Sequence, residues 1–227
     1  MEEKRHTSLH YEMELQEIKN SIIYLGALTE KAIHFAMQSL TERDTELAKK
    51  VIADDYEIDK MDKEIEEKCI TMLALRQPTA IDLRFITTSI KITGHLERIG
   101  DMAVNIAEKA IQLNEEPKLK SYIDLPHMSS IVEEMVVKSM DSLIKRDLQI
   151  AENVRQIEQV VDDLNDQIFR ELLTFMMEDS KSIHRALLIM HVSKNLERIA
   201  DHAQGIADMV TYMITGENVR HLSKEIS

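Results

Sequence analysis

Residues 96 to 108 read LERIGDMAVNIAE and residues 196 to 208 read LERIADHAQGIAD, so one motif occurs twice at an offset of 100 residues. Two other segments, IDKMDKEI at 58 to 65 and VDDLNDQI at 161 to 168, repeat in the same order at an offset of 103. Two segments that recur in the same order at nearly the same offset indicate a duplicated structural unit. With only two copies, the sequence predicts a pair of units related by a pseudo-twofold axis and not a solenoid.

Around both copies, apolar residues recur at spacings of three and four, which is typical of amphipathic helix. The pattern predicts six helices, over about residues 7–40, 44–76, 80–114, 126–145, 147–178 and 180–215, the last of them ended by Gly216. Long helices joined by short turns must pack antiparallel to their neighbours. The predicted fold is therefore all-α, with six long antiparallel helices arranged as two tandem three-helix bundles.

The connections between the helices carry recognisable cap residues. Thr41 and Asp44 are candidate N-caps of the second helix, Thr79 with Asp82 is a capping pair for the third, and Asp124 is a candidate cap of the fourth. The segment NEEPKLKSYIDLP at 114 to 126 holds two of the three prolines and interrupts the periodicity. It is the expected linker between a first bundle over residues 1–116 and a second over 117–227.

Composition restricts the class of protein. The chain of 227 residues is 44% hydrophobic, which excludes a disordered chain, and its net charge of −13 argues against nucleic acid or anionic lipid as the main partner. The charge is compatible with cations and with basic protein surfaces. No apolar signal region and no run of roughly 20 apolar residues is visible, so a cytoplasmic protein is expected. The single cysteine, Cys69, excludes an internal disulfide and is expected to be a buried thiol.

Each copy carries the pattern acid-x-x-x-Asp twice, and residues four apart share one face of a helix. The four pairs are Asp55 with Asp59, Glu97 with Asp101, Glu158 with Asp162, and Glu197 with Asp201. Any one pair alone is typical of a solvated helix face. The positions of the pairs relative to the turns change that interpretation.

In an antiparallel hairpin, residues equally far from the turn lie at the same level. Asp59 and Glu97 each lie 19 residues from position 78, and Asp55 and Asp101 each lie 23 residues from it. The four acids of the second copy are likewise equally distant from the turn at residues 179 and 180. Four carboxylates that converge must protonate, splay into water or bind cations, and all-oxygen ligands suit hard ions such as Mg²⁺, Mn²⁺, Ca²⁺ or iron.

The two LERI segments, together with RQPTAIDLRFI at 76 to 86, resemble the PhoU family over nearly the whole chain. The resemblance implies a non-enzymatic negative regulator of the phosphate-starvation response and of phosphate uptake. The implied partners are the ATPase subunit of the phosphate ABC transporter and a membrane sensor histidine kinase. The chain is expected to form a homodimer, to bind no nucleic acid, and to contact the membrane only through its partners. The RQPTAIDLR segment is expected to serve as a turn and cap around Pro78, with a partner contact through Arg84 as the alternative.

The resemblance also implies divalent or trivalent metal ions at the acidic motifs, from among iron, manganese, magnesium and zinc. Carried over residue by residue, the first acidic face comprises Asp55, Asp59, Asp62, Glu97, Asp101 and Asn105, and the second comprises Glu158, Asp162, Asn165, Glu197 and Asp201. The family-like Asn of the second face is replaced by Gly205, so weaker binding is expected there. His202 is a further candidate ligand, although a helical histidine beside a charged stripe is more often a plain surface residue.

Two other functions stay open on sequence grounds. A carboxylate-bridged metalloenzyme or iron-storage bundle typically combines inward carboxylates with Glu-x-x-His motifs, but the positions three after Glu97 and Glu197 are Gly100 and Ala200. A purely structural helical scaffold would leave the acids as solvent-facing charge. No Ser-His-Asp or Cys-His arrangement and no glycine-rich phosphate loop is evident.

Overall fold

The structure is a computed structural model that describes the backbone of residues 2–217 and the side chains of residues 10–217. Its helices are α1 (Glu2–Thr41), α2 (Thr45–Leu75), α3 (Ala80–Glu115), α4 (Asp124–Lys145), α5 (Leu148–Glu178) and α6 (Ile183–Thr215). Residues 2–217 contain no strand. None of the helices in this range is long and apolar enough to cross a membrane. The all-α prediction is confirmed.

Two three-helix bundles account for the packing. Helices α1, α2 and α3 contact one another, α4, α5 and α6 do the same, and the bundles meet mainly through α3 and α6, with α1 against α4. Arg84, near the start of α3, donates a hydrogen bond to the carbonyl of Met213 near the end of α6. Arg185, near the start of α6, donates to the carbonyl of Pro117 just beyond α3. Helices α3 and α6 therefore run antiparallel across the bundle interface.

The duplication extends to the connections before α2 and α5. Arg43 and Arg146, which are 103 residues apart, both have left-handed backbone conformations, with φ of 61° and 51°. The next residue caps the following helix in each copy: Asp44 accepts from the amide of Leu47, and Asp147 accepts from the amide of Gln149. The same chain reversal is thus built twice with the same two residue types.

The predicted caps are partly correct. Asp44 caps α2 as expected, and Thr79 and Asp82 form the predicted pair, with Thr79 Oγ1 donating to Asp82 Oδ2 at 2.9 Å. Thr41 was the wrong candidate, because it is the last residue of α1 and its hydroxyl donates back to a carbonyl of that helix. Asp124 is also not a cap, because it is the first residue of α4 and its carboxylate pairs with Lys120 Nζ at 3.3 Å.

The ends of α6 refine the prediction of one helix from residue 180. A short 3-10 turn, Ser180–Ser182, precedes α6, and Asp179 caps that turn. Gly216 ends α6 with φ of 79°, as predicted.

The outcomes at Cys69, at Arg84 and at the domain boundary differ. Cys69 is fully buried, as predicted. Arg84 links the start of α3 to the end of α6 across the bundle interface. The division of the chain into domains at residue 116 stays a prediction.

Candidate metal-binding faces

The first acidic face forms where α2 packs against α3. Asp55 interacts electrostatically with Asp101, and Asp59 with Glu97, which are the levels predicted by counting from the α2–α3 turn. Burial, followed by the Asp59 and Asp101 carboxylates, raises the pKa of Asp55 to about 6. Burial and the neighbouring carboxylates, including that of Asp62, also raise the pKa of Glu97. Ionising all the acids of this face is costly, so the face favours a proton or a cation.

The second acidic face repeats this arrangement where α5 packs against α6. Burial, followed by the charges of Asp162, Asp201 and Glu197, raises the pKa of Glu158. The pKa values of Asp162 and Asp201 are raised for the same two reasons, burial first and the Glu197 carboxylate second. The structure therefore brings the predicted acid pairs of both faces together, and their role as metal ligands stays a prediction.

The predicted additional ligands differ between the two faces. In the first face, Asp62 lies close enough to Glu97 to raise its pKa, and Asn105 continues the same stripe along α3. In the second face, the amide oxygen of Asn165 already accepts a hydrogen bond from the Ser193 hydroxyl at 2.7 Å. Asn165 therefore keeps only one of its two acceptor positions for another ligand.

His202 lies in the bundle interface and not among the acids of the second face. Its Nδ1 atom is 3.1 Å from Nδ1 of His95 on α3, and the two rings meet edge to face. Burial, followed by the positive charges of Arg98 and Arg198, lowers the pKa of His202 and favours the neutral ring. The expectation of a plain surface histidine was wrong, because the side chain is packed between α6 and α3.

The cations beside the two faces are functional candidates that the sequence reasoning missed. In the first face, exposed Arg98 lies 3.4 Å from Glu97. In the second, Lys194 Nζ lies 2.6 Å from Glu197 Oε2, an oxygen buried from solvent, in an ion pair without hydrogen-bond angles. Arg155 on α5, in turn, pairs with an acid of α6 at 2.8 Å. Comparing the two copies position by position would have revealed Lys194 and Arg155, because Gly94 and Ile52 stand in their places in the first copy.

A metal ion fits the donor chemistry of both faces. Carboxylate oxygens from two helices, close enough to raise one another's pKa, are the ligands that hard divalent ions prefer. Among residues 10–217, no three His, Cys, Asp or Glu side chains already surround one point in a way that would hold a metal ion. Binding would therefore require the carboxylates to draw together.

Sequence comparisons match both halves of the chain to one family. The profile described as "PhoU domain" matches residues 22–110 and again residues 125–210. The chain is 39% identical to the phosphate-specific transport system accessory protein PhoU homolog of Pseudomonas aeruginosa, over 96% of this chain and 90% of that protein. It is 45% identical to the corresponding Aquifex aeolicus protein, over 92% of this chain and 94% of that one.

Solved structures show the same fold. The crystal structure of PhoU from Pseudomonas aeruginosa superposes with a TM-score of 0.88 at 38% identity, covering 91% of this chain and all of that one. The phosphate transport system regulatory protein PhoU from Streptococcus pneumoniae superposes with a TM-score of 0.85 at 27% identity, covering 92% and 98% of the two chains. The likeness therefore extends over both bundles.

Proposed function

Because the chain belongs to the PhoU family, we propose that it is a non-enzymatic negative regulator of the phosphate-starvation response and of phosphate uptake. The observation that carries the proposal is the extent of the likeness. Relatives named as phosphate-specific transport system accessory proteins align with 96% and 92% of the chain, and both bundles match the family's domain. In this proposal the chain acts in the cytoplasm as a homodimeric adaptor between the phosphate ABC transporter ATPase and a membrane sensor histidine kinase.

An apolar surface between α5 and α6 supports the adaptor role. A cleft of about 490 Å³ lies between these helices and is lined by Phe169, Leu187 and Met190, among others. Phe169 and Leu187 are 45% and 44% exposed, and Met177, at the end of α5, is 86% exposed. Grouped apolar side chains of this kind on a highly charged protein mark contact surfaces for other proteins. We assign this surface to one of the two protein partners.

The partner surface can be tested by capture of the chain with the purified ATPase subunit and, separately, with the kinase. Met177→Ser together with Leu187→Ser should weaken capture by one of them, because the substitutions remove apolar contact without touching the acids. The matched control is Leu75→Ser with Ile81→Ser, which removes exposed apolar side chains at the α2–α3 turn. Equal capture of the two double variants and of the unaltered chain would rule out this surface as the contact.

The acidic faces are proposed to hold hard cations. A divalent or trivalent ion would neutralise carboxylates whose mutual repulsion raises their pKa values, and it would join α2 to α3 or α5 to α6. The oxygen donors favour iron, manganese or magnesium, with zinc less favoured because the faces lack thiolate and imidazole ligands. Such ions would stiffen the helical hairpins from which a partner surface is built.

The regulatory role is tested by deletion in a host without a paralogue. We expect phosphate-responsive genes to stay expressed at high phosphate, and re-expression of the chain to restore repression. Normal repression in the clean deletion would contradict the proposal. Re-expression of a variant with Glu97, Asp101, Glu197 and Asp201 all changed to Ala then separates the regulatory role from the metal role. If this variant binds no metal and still restores repression, the regulatory role stands and a need for metal in it is ruled out.

A further inference from the structure

Lys194 lies within the second acidic face. Its ammonium nitrogen is 2.6 Å from Glu197 Oε2 on the same helix. The positive charge also acts on Asp162 of α5 and on Asp201, where it opposes the rise in pKa that the other carboxylates cause. One ammonium group thus interacts with three acids that come from both helices of the face.

The first acidic face has no equivalent of this lysine. The offset of 100 that relates Glu97 to Glu197 relates Gly94 to Lys194, so glycine stands where the second copy has a cation. A Cβ atom added at Gly94 would meet nothing within 4 Å, so the space above the first face is open there. Both copies carry an arginine after the first acid of the motif, Arg98 and Arg198, so the lysine is a difference in positive charge between the two copies of the motif.

We propose that Lys194 is a tethered counter-ion of the second acidic face, so that a metal ion loads this face only by displacing the lysine ammonium. The first face, whose acids pair with exposed Arg98, loads without displacing a lysine. The proposal rests on the proposed binding of hard cations and assigns a residue that makes the two faces unequal, in addition to the ligand differences at Asn165 and Gly205. The physical reason is competition for the same oxygens. Even in a water-like dielectric, an ammonium about 5 Å from a divalent ion lowers the affinity of the site for that ion roughly tenfold.

A plain surface ion pair would behave differently. Pairs three residues apart on a helix are common, and exposed ones contribute little. Lys194 differs because its partner oxygen is buried and because it also interacts with Asp162 on the neighbouring helix. An exposed pair that contributes little predicts almost no change in metal affinity when the lysine is replaced, whereas a lysine that competes for the shared oxygens predicts tighter binding.

The test is a Mn²⁺ titration of the full chain after treatment with chelator, with free Mn²⁺ followed by electron paramagnetic resonance. The unaltered chain should show a tight class and a weak class of sites. Lys194→Gln should tighten the weak class about tenfold and leave the tight class unchanged, whereas Lys194→Arg should keep it weak. Added salt should shrink the difference between the Lys and Gln proteins, because screening weakens charge repulsion.

The reciprocal substitution gives an independent arm. Gly94→Lys should weaken the tight class by a similar factor, and Gly94→Gln controls for the gain in helix propensity without the charge. Circular dichroism checks that each variant is folded. Suppose that Glu97→Gln with Asp101→Asn abolishes the tight class, while Lys194→Gln leaves the affinity of the weak class unchanged. That result overturns the role of Lys194 but keeps the metal site of the first face. No Mn²⁺ binding by the unaltered chain overturns this inference and the metal part of the proposed function together.

Discussion

The imidazole rings of His95 and His202 meet across the interface between the two bundles, with their Nδ1 atoms 3.1 Å apart. Room for this contact comes from Gly205, because a Cβ atom there would lie 2.4 Å from Cε1 of His95. Gly205 stands where the first copy has Asn105, a candidate ligand of the first face. The position that removes a candidate ligand from the second face is therefore the position that admits a ring from the first bundle.

The contact predicts that Gly205→Ala destabilises the chain. The added methyl group would push the His95 ring out of place, at a cost of about 1–3 kcal/mol that exceeds the roughly 1 kcal/mol gained in helix propensity. Gly94→Ala is the matched control, since nothing lies within 4 Å of its added Cβ atom, and it should stabilise the chain. Urea unfolding measures both free energies, and equal stabilisation by the two substitutions would contradict the packing argument.

A double-variant cycle separates the ring from the rest of the interface. In a chain that already carries His95→Ala, the ring that blocks position 205 is gone. Gly205→Ala should then become neutral or stabilising, giving a coupling energy of about 1–3 kcal/mol between the two positions. Purely additive effects would show that another neighbour opposes the methyl group.

The left-handed residues Arg43 and Arg146 predict opposite effects of one substitution. Glycine adopts this backbone conformation without the steric cost that a side chain incurs, so Arg146→Gly should stabilise the chain by about 0.5–1 kcal/mol. Arg43→Gly gains the same relief but loses hydrogen bonds from its guanidinium to the carbonyls of Asn114 and Glu116. It should therefore be destabilising in thermal unfolding, and a stabilising result would show that those bonds contribute little.

The raised pKa of Asp55 predicts a pH dependence in the presence of chelator. Its pKa is about 6 in the folded chain against an ordinary value of 3.8, so between about pH 4 and 6 the folded chain binds the proton more tightly than the unfolded chain. The contribution of this group to stability therefore falls as the pH rises through that window, and its full cost is present above it. Asp55→Asn should be more stable than the unaltered chain by about 1–2 kcal/mol at pH 7.5, after allowance for solvent screening, and equally stable at pH 4. If the difference in unfolding free energy between the two proteins does not change with pH, ionisation of Asp55 does not destabilise the folded chain.

Much of this arrangement follows from the sequence alone, for identifiable reasons. Helix periodicity and the repeat are local and regular, so the helix number and the level pairing of Asp59 with Glu97 were predicted correctly. The errors at Thr41 and Asp124 are choices among neighbouring cap residues, which depend on where the chain turns. The contact between His95 and His202 joins positions 107 residues apart through the packing of α3 on α6, and no spacing rule within one helix predicts it. Lys194 pairs with Glu197 one turn along its own helix, but its interaction with Asp162 joins two helices, and no pattern within one helix predicts that interaction.

The last prediction concerns the stability that metal ions confer through the two faces. A ligand that binds only the folded chain stabilises it by about 2.7 kcal/mol at a concentration one hundred times its dissociation constant, which for a chain of this size raises the melting temperature by roughly 5–10 °C. Added Mn²⁺ should therefore raise the melting temperature of the unaltered chain, with the first face responding at lower concentration than the second. Glu97→Ala with Asp101→Ala should remove the response at low Mn²⁺ and keep the response at high Mn²⁺.

The corresponding change in the second face, Glu197→Ala with Asp201→Ala, should do the reverse, and the fourfold variant should respond to neither concentration. Without metal, the fourfold variant should match or exceed the unaltered chain in stability, because the substitutions relieve the repulsion that raises the pKa values of these acids. Elemental analysis of protein purified without chelator identifies the ion. If Mn²⁺, Mg²⁺ and Fe²⁺ leave the melting temperature of the unaltered chain unchanged, and no metal is found on purification, both faces are solvated acidic surfaces. Metal binding then has no part in the function of this protein.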